Sequence, residues 1–496
     1  MNTLSWETLK QIHPTTVALP QESSRQLPEK ILQFGTGVLL RGLPDYYVDQ
    51  ANRKGIFQGR IVAVKSTTKG PLRAFHTQEG LYTLTTQGQD GDKKTTDHII
   101  VSAISRVLSA AEDWAEVLRS AADPQIQIIL SNTTEAGIVL QLEDIHQQPP
   151  ASFPAKLLAC LYQRYRKLGN TKASTLAIVP TELIPDNGAV LQSIILKLAR
   201  HNKLDADFYS WLRKHVHFCN SLVDRIVPGR PNAADASAFQ NELGYHDTLQ
   251  ITAEPYNLWA IEGSEAVADL LSFEQANAGM RIVPDINLYR ETKLRLLNAT
   301  HTLCSGMAVL AGIDTVYEAA THPVLSHLIR QLMLDEIAMA IPYPVPKKVA
   351  YDFAHQTFAR FSNPFIQHRW INITSAYSVK LKMRVVPVLL EYYKLYHQVP
   401  GRIALGFSAF LRFMKITAIK DGQYFGTING RTYPIHDGRA ADFNTLWTEC
   451  AHSPDKLVEQ ALSNSDFWGT DLTLLPGFCM AVQHNLKNSD ASIWTD

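Results

Sequence analysis

The chain has 496 residues, 45% hydrophobic and 19% charged, which is length enough for two or three domains with sizeable cores. Lysine plus arginine and aspartate plus glutamate balance at 47 each, so no surplus charge points to nucleic acid or an anionic membrane. Five scattered cysteines without a C-x-x-C pair argue against a disulfide frame or a thiolate zinc site. The N-terminus carries no basic region followed by an apolar run, and no stretch approaches the ~20 apolar residues of a membrane span. A cytoplasmic protein is the expectation.

Short Ile- and Val-rich runs at 31–34, 60–64, 126–130 and 175–179 suit strands buried on both faces. Helical patterns at 110–121, 155–167 and 188–200 alternate with them, and that alternation predicts a doubly wound α/β sheet of Rossmann-like type. From about Pro284 the pattern changes to helices: 301–320, 323–341, 347–360, 385–396 and 402–415 all read as helical, several with proline near an end. Two domains are predicted, a Rossmann-like dinucleotide-binding domain over 1–284 and a mainly helical substrate domain over 285–496.

The first strand runs into Gly35-Thr-Gly37, followed by Arg41. Glycines directly after a strand let the backbone turn tightly and approach a pyrophosphate at the next helix N-terminus. Leu40 stands where the usual G-x-G-x-x-G has its third glycine. Arg41 could supply a cation to a phosphate, or be an ordinary surface arginine. Lys65, at the end of the second strand, begins a segment without the acidic residue that holds a ribose 2′-hydroxyl. NAD is expected, with NADP left open. The loop Ser131-Asn132-Thr133-Thr134-Glu135-Ala-Gly137 offers a floor for the nicotinamide end, through Asn132, Thr134 and Glu135.

There is no H-E-x-x-H, no His/Cys grouping at metal-ligand spacing, no G-x-S-x-G and no Walker loop, so no metal is expected. The richest segment is Lys293-Leu-Arg-Leu-Leu-Asn298-Ala-Thr-His301. At about 100° per residue, Asn298 falls about 140° and His301 about 80° around a helix from Lys293. A cation, an amide and an imidazole then share one side of a leucine-rich segment. A partly desolvated lysine there can act as an acid or base near neutral pH. The competing reading is a polar stripe facing water.

Together, Gly35-x-Gly37-x3-Arg41, Asn220-Ser-Leu-Val-Asp224-Arg225, Lys293-x4-Asn298-x2-His301 and Arg360-Phe-Ser-Asn-Pro364 resemble the mannitol dehydrogenase family, the polyol-specific long-chain dehydrogenases. They occur in the family's order and span nearly the whole chain. The 131–137 loop, Glu182-Leu-Ile with Asn187-Gly188, and Glu242-Leu-Gly-Tyr-His-Asp247 are closer to the family's hexuronate-reducing branch. The resemblance implies metal-free, NAD(P)-dependent hydride transfer, with D-tagaturonate reduced to D-altronate. Fructuronate reduction and mannitol 2-dehydrogenation are alternatives, and a non-catalytic nucleotide sensor is a reading from another class.

By the same resemblance Lys293 is the general acid/base, Asn298 a donor to the reacting oxygen, and His301 a group that orients the substrate. Asp224 matches a carboxylate of the sugar pocket or belongs to an internal ion pair, and Lys380 matches a substrate-side lysine. Leu183 stands where polyol enzymes carry an asparagine, and Asn372 replaces a substrate-contact arginine. Arg290 stands where they tend to carry a gating carboxylate. An arginine there favours an anionic substrate, so Arg290, with Lys380 second, is the expected partner of a hexuronate carboxylate; the alternative is a pair with Glu291. The expected partner is a small keto-sugar acid, with no nucleic acid or membrane, bound by a monomer or small homo-oligomer.

Overall fold

Six parallel strands form the central sheet: β1 (Glu29–Phe34), β2 (Arg60–Lys65), β5 (Ile104–Ser109), β6 (Ile128–Ser131), β7 (Leu176–Pro180) and β8 (Val216–Phe218), in the order β5-β2-β1-β6-β7-β8. The computed structural model describes residues 1–12, 16–66, 72–90, 93–133 and 137–488. Successive side chains enter opposite cores. Leu32, Val62, Val64 and Ile129 join one, whereas Ile31, Ile61, Ala63 and Ile128 join the other. Both faces are therefore covered, which is why these strands read as continuous apolar runs. The chain leaves β1 for β2 on one side and later returns to place β6 on the other. That reversal opens a crevice at the carboxyl end of β1, where doubly wound sheets bind ligands.

Helices cover this sheet as the sequence pattern predicts. The Phe153–Leu168 helix starts where the Ser152 hydroxyl accepts from the Ala155 N–H, with Pro154 in its first turn, and stops at Gly169, whose φ is +64°. The Asn187–His201 helix follows β7. Two smaller sheets complete this half. The antiparallel hairpin of β3 (Tyr82–Asp90) and β4 (Lys93–Val101) is joined by β10 (Ile251–Ala253), while β9 (Ser221–Asp224), β11 (Leu258–Glu262) and β12 (Met280–Val283) form the other.

Contacts divide the chain into Met1–Ile286 and Asn287–Asp496. The second unit packs its helices around one large core that includes Leu303, Phe407, Phe410 and Trp468. Three local departures from the predicted helices stand out. The 301–320 stretch is two helices, Thr300–Leu310 and Val316–Thr321, because Gly312 takes φ +76° and Thr315 with Glu318 forms a capping box that starts a new helix. The 323–341 stretch turns π-helical over Leu332–Ile337. A three-stranded antiparallel sheet, β13 (Ala418–Lys420), β14 (Gln423–Ile428) and β15 (Arg431–Ile435), interrupts the helical run. No helix among the described residues is long and apolar enough to cross a membrane.

Candidate active site

In the first unit the site begins where β1 ends. Gly35 adopts φ +132°, and a Cβ there would lie 2.7 Å from Leu40 Cδ1 and 3.2 Å from the Asn132 carbonyl oxygen, so glycine is required. Its N–H donates to the Val64 carbonyl at 2.9 Å, tying the turn to β2. Gly37 is different. Its φ of −66° suits any residue, and a Cβ would meet nothing within 4 Å among the described residues. Packing against the described residues does not call for glycine there, whereas close approach of a phosphate would. The strand end therefore fits a dinucleotide.

Arg41, expected to offer its cation to a phosphate, is held by protein groups. Its guanidinium is buried, donates to the Leu249 carbonyl, and lies over the rings of Phe75 and Tyr82 at 5.7 and 5.2 Å. The side chain packs in the interior of this unit. Spacing places an arginine near a loop but does not say which way it points. Lys65, the last residue of β2, is buried opposite Ser109 of β5.

Asn132 donates to the Thr181 hydroxyl at 3.0 Å, joining the ends of β6 and β7. Thr134 and Glu135 lie outside the described residues. The residue that organises this loop is Glu182, which the site expectation omitted. Its buried carboxylate accepts from the Thr133 N–H at 2.8 Å, the Thr133 hydroxyl at 3.0 Å and the Ser131 hydroxyl at 3.1 Å. Burial raises its pKa, and these donors oppose the rise. Asn187 fixes the next turn by donating to the carbonyls of Pro180, Glu182 and Ser221. Leu183 is 64% exposed. Asp224 is buried at the end of β9, in register with Leu258. Its neighbour Arg225 donates to the carbonyls of Glu254 and Gly42, at 2.9 and 2.7 Å, and lies over Tyr46.

In the second unit, Arg290 is half-buried on the Asn287–Thr292 helix, which passes directly into a π-helical stretch, Lys293–Ala299. The α-helical angles therefore do not apply. In a π-turn hydrogen bonds run from i to i+5, so Lys293 and Asn298, five apart, stand one above the other across a single turn. Both are half-buried. The Asn298 carbonyl accepts from the Thr302 hydroxyl at 2.8 Å. Glu291 is paired with Arg295 at 2.9 Å.

His301 follows on the Thr300–Leu310 helix and is 5% exposed. Its ring stacks on Phe361 and meets the rings of His368 and Trp370 edge-on. Nε2 is buried without a hydrogen-bond partner among the described residues. Burial holds the imidazole pKa well below its ordinary value, and His368, Arg360, Arg384 and Lys380 depress it further. Lys380 Nζ donates to the Ile373 carbonyl at 2.9 Å, and burial together with Arg384 lowers its own pKa. Arg384 donates to the Thr302 hydroxyl at 3.1 Å. The structure thus brings His301 and Lys380 into one cluster and adds His368 and Arg384, which the sequence pattern did not single out. The i, i+4 spacing of Lys380 and Arg384 was the available signal. Among the described residues no group of three or more His, Cys, Asp or Glu side chains is placed to hold a metal.

Residues 29–275 match the mannitol dehydrogenase Rossmann domain and residues 285–490 the mannitol dehydrogenase C-terminal domain. The chain belongs to the mannitol dehydrogenase family. This family member is an oxidoreductase with a Rossmann-like domain followed by a helical one. It is 36% identical to the altronate oxidoreductase of Halalkalibacterium halodurans over 91% of its own length and 89% of that protein's. It is 35% identical to the altronate oxidoreductase of Bacillus subtilis, over 91% and 90% of the two chains. Among solved structures it resembles Pseudomonas fluorescens mannitol 2-dehydrogenase in ternary complex with NAD and D-mannitol, with TM-score 0.72, 23% identity, and 99% and 98% of the chains covered. It also resembles a substrate-free D-sorbitol dehydrogenase, with TM-score 0.81, 21% identity and both chains covered in full. At those identities the two structures show that the mannitol dehydrogenase fold is shared.

Proposed function

We propose that this enzyme is an NAD-dependent altronate oxidoreductase of the cytoplasm, reducing the keto group of D-tagaturonate to the secondary alcohol of D-altronate. The observation that carries the substrate class is the cationic surround of His301: Arg360, Arg384 and Lys380 gather about a neutral, buried imidazole whose Nε2 has no protein partner among the described residues. Such a surround attracts an anionic sugar better than a neutral polyol. The altronate oxidoreductases among the relatives support the same reading.

Gly35 and Gly37 would let the pyrophosphate of a dinucleotide approach the backbone at the end of β1, with Asn132 toward its nicotinamide end and Lys65 toward its ribose. When bound in reduced form, that group supplies the hydride for the carbonyl carbon. Lys293 gives the proton that the carbonyl oxygen needs as its negative charge develops. Asn298, on the same face of the π-turn, donates a hydrogen bond to that oxygen, a role typically worth ~3 kcal/mol. His301, kept neutral, donates or accepts at the neighbouring hydroxyls. Asp224 is a further hydroxyl acceptor, and Arg290 and Lys380 are cations for the carboxylate.

Initial rates of NADH and NADPH oxidation on D-tagaturonate, D-fructuronate and D-fructose test the reading. The expected result is fastest turnover of D-tagaturonate with NADH. Faster turnover of D-fructose than of either hexuronate refutes it.

A further inference from the structure

Arg384 is built as a receptor, and its construction begins with its backbone. The residue sits in a second π-helical stretch, Leu381–Val385, where widened turns leave carbonyls outside the ordinary i to i+4 ladder. Arg295, from the Lys293 stretch, donates through one nitrogen to the carbonyls of Met383 and Arg384 at 2.7 and 2.9 Å. Arg295 is in turn held by Glu291. The polypeptide that carries Arg384 is therefore fixed by the same segment that carries Lys293 and Asn298.

Among the described residues the side chain is fixed at one point. Arg384 Nη1 donates to the hydroxyl of Thr302, the residue after His301. Thr302 is itself anchored, since its hydroxyl donates to the Asn298 carbonyl. A guanidinium has five N–H donors in a planar fork that matches a carboxylate with two parallel bonds. Here one arm is engaged, and Nε and Nη2 have no protein acceptor among the described residues. No carboxylate lies within ion-pair distance of Arg384 or Lys380 among those residues. The nearest acid that acts on Lys380, Asp437, already accepts from the Ser378 N–H and hydroxyl, both at 2.7 Å. A partly buried cluster of cations without a protein counter-charge is incomplete, and an anionic ligand completes it.

We infer that Arg384 is the specificity-determining residue that binds the substrate carboxylate, bidentate through Nε and Nη2, with Lys380 beside it as a second cation. This rests on the hexuronate reading above and deepens it. It moves the main carboxylate contact from Arg290 to Arg384. The Thr302 bond sets the plane of the fork next to His301, so that a sugar acid gripped by Arg384 presents its hydroxyls to the unpartnered Nε2.

The test uses the full-length enzyme and four proteins: wild type, Arg384→Gln, Arg384→Lys and Arg290→Gln. Steady-state rates are measured on D-tagaturonate and on D-tagatose, the neutral ketose of the same skeleton, and D-altronate binding is followed by calorimetry. Arg384→Gln should raise KM for D-tagaturonate roughly 10²-fold, in line with loss of a buried charge-pair partner. Its kcat should stay within threefold, and any rate on D-tagatose should fall far less than the rate on D-tagaturonate. D-Altronate binding should weaken by a similar factor. Arg384→Lys keeps the charge but not the fork, so it should fall between wild type and Arg384→Gln. A KM within threefold of wild type in Arg384→Gln overturns the assignment. So does a loss shared equally by D-tagatose, or a loss that falls on Arg290→Gln instead. If wild type turns over no hexuronate, the functional reading itself fails and the assignment falls with it, an outcome the wild-type assay shows before any variant is measured.

Discussion

His301 lies face to face with Phe361, their ring centroids 4.3 Å apart and their planes 16° from parallel. A cationic imidazole so enclosed, among arginines and a lysine, would be costly, and burial accordingly keeps it neutral. The linkage has a definite sign. The unfolded chain protonates this histidine below pH about 6.5, whereas the folded protein resists protonation, so stability present above pH about 6.5 is lost as pH falls. His301→Gln lacks that titration. Melting curves of the two proteins should therefore converge, or cross in favour of the variant, between pH 7.5 and pH 5. His368, also held below its ordinary pKa, is common to both proteins and cancels in the difference. Parallel curves would show that His301 charges freely.

The second prediction concerns Lys293. Lys293→Ala should lower turnover roughly 10²-fold or more, the usual scale for removal of a positioned acid/base. NADH binding should be retained, because the glycine turn is built from other residues. A nucleotide sensor has no use for a proton donor, so unchanged turnover, or an enzyme already inactive as wild type on every ketose and hexuronate, would favour the sensor reading.

Gly37 separates folding from binding. A methyl group added at this position meets no atom of the described residues within 4 Å, and the backbone angle is ordinary. Gly37→Ala should keep the wild-type melting temperature, or raise it slightly by restricting the unfolded chain, yet weaken NADH binding at least tenfold. Gly35→Ala has the opposite origin. Its Cβ would press against Leu40 and the Asn132 carbonyl at a positive φ, so both stability and binding should fall. Fluorescence titration with NADH and thermal melts of the two variants check this. Full NADH affinity in Gly37→Ala would place the dinucleotide elsewhere.

Sequence patterns carried the fold well where local chemistry decides it. The central strands were legible because burial on both faces demands unbroken Ile and Val, and the 155–167 and 188–200 helices because their polar and apolar positions alternate at a helical period. The π-turn at Lys293–Ala299 was not legible. Leucines at 294, 296 and 297 satisfy an α-helical period equally well, and the choice of i to i+5 bonding comes with tertiary packing. Gly35 and Gly37 could be located, but not the difference between them, since one is required by protein atoms and the other by open space. Arg41 and Arg384 mark the limit. The direction of a long side chain depends on residues far away in sequence, Leu249 for one and Thr302 for the other.

Beneath the glycine turn, Asp45 offers a last test of stability. Its side chain is fully buried on the Pro44–Arg53 helix, with Arg41 and Gln33 as its polar neighbours. Burial pushes its carboxyl up to about 8, and Arg41 and Gln33 only partly offset this. Across the window from pH about 4 to pH about 8 the folded protein keeps a proton that the unfolded chain releases. Stability from this group is thus complete at acid pH and declines as pH rises through that window, by at most about 1.4 kcal/mol per pH unit. Asp45→Asn keeps a neutral side chain of the same shape at every pH. Its melting temperature relative to wild type should climb between pH 6 and pH 8 and level off above pH 9. Because Gln33 also donates to the Gly35 carbonyl at 3.3 Å, ionised Asp45 would compete for that amide and loosen the turn. NADH affinity of the wild type should then weaken above pH 8 while that of Asp45→Asn does not. A melting difference that is flat from pH 6 to pH 9 would mean that Asp45 is already ionised in the folded protein, with Arg41 as its counter-charge.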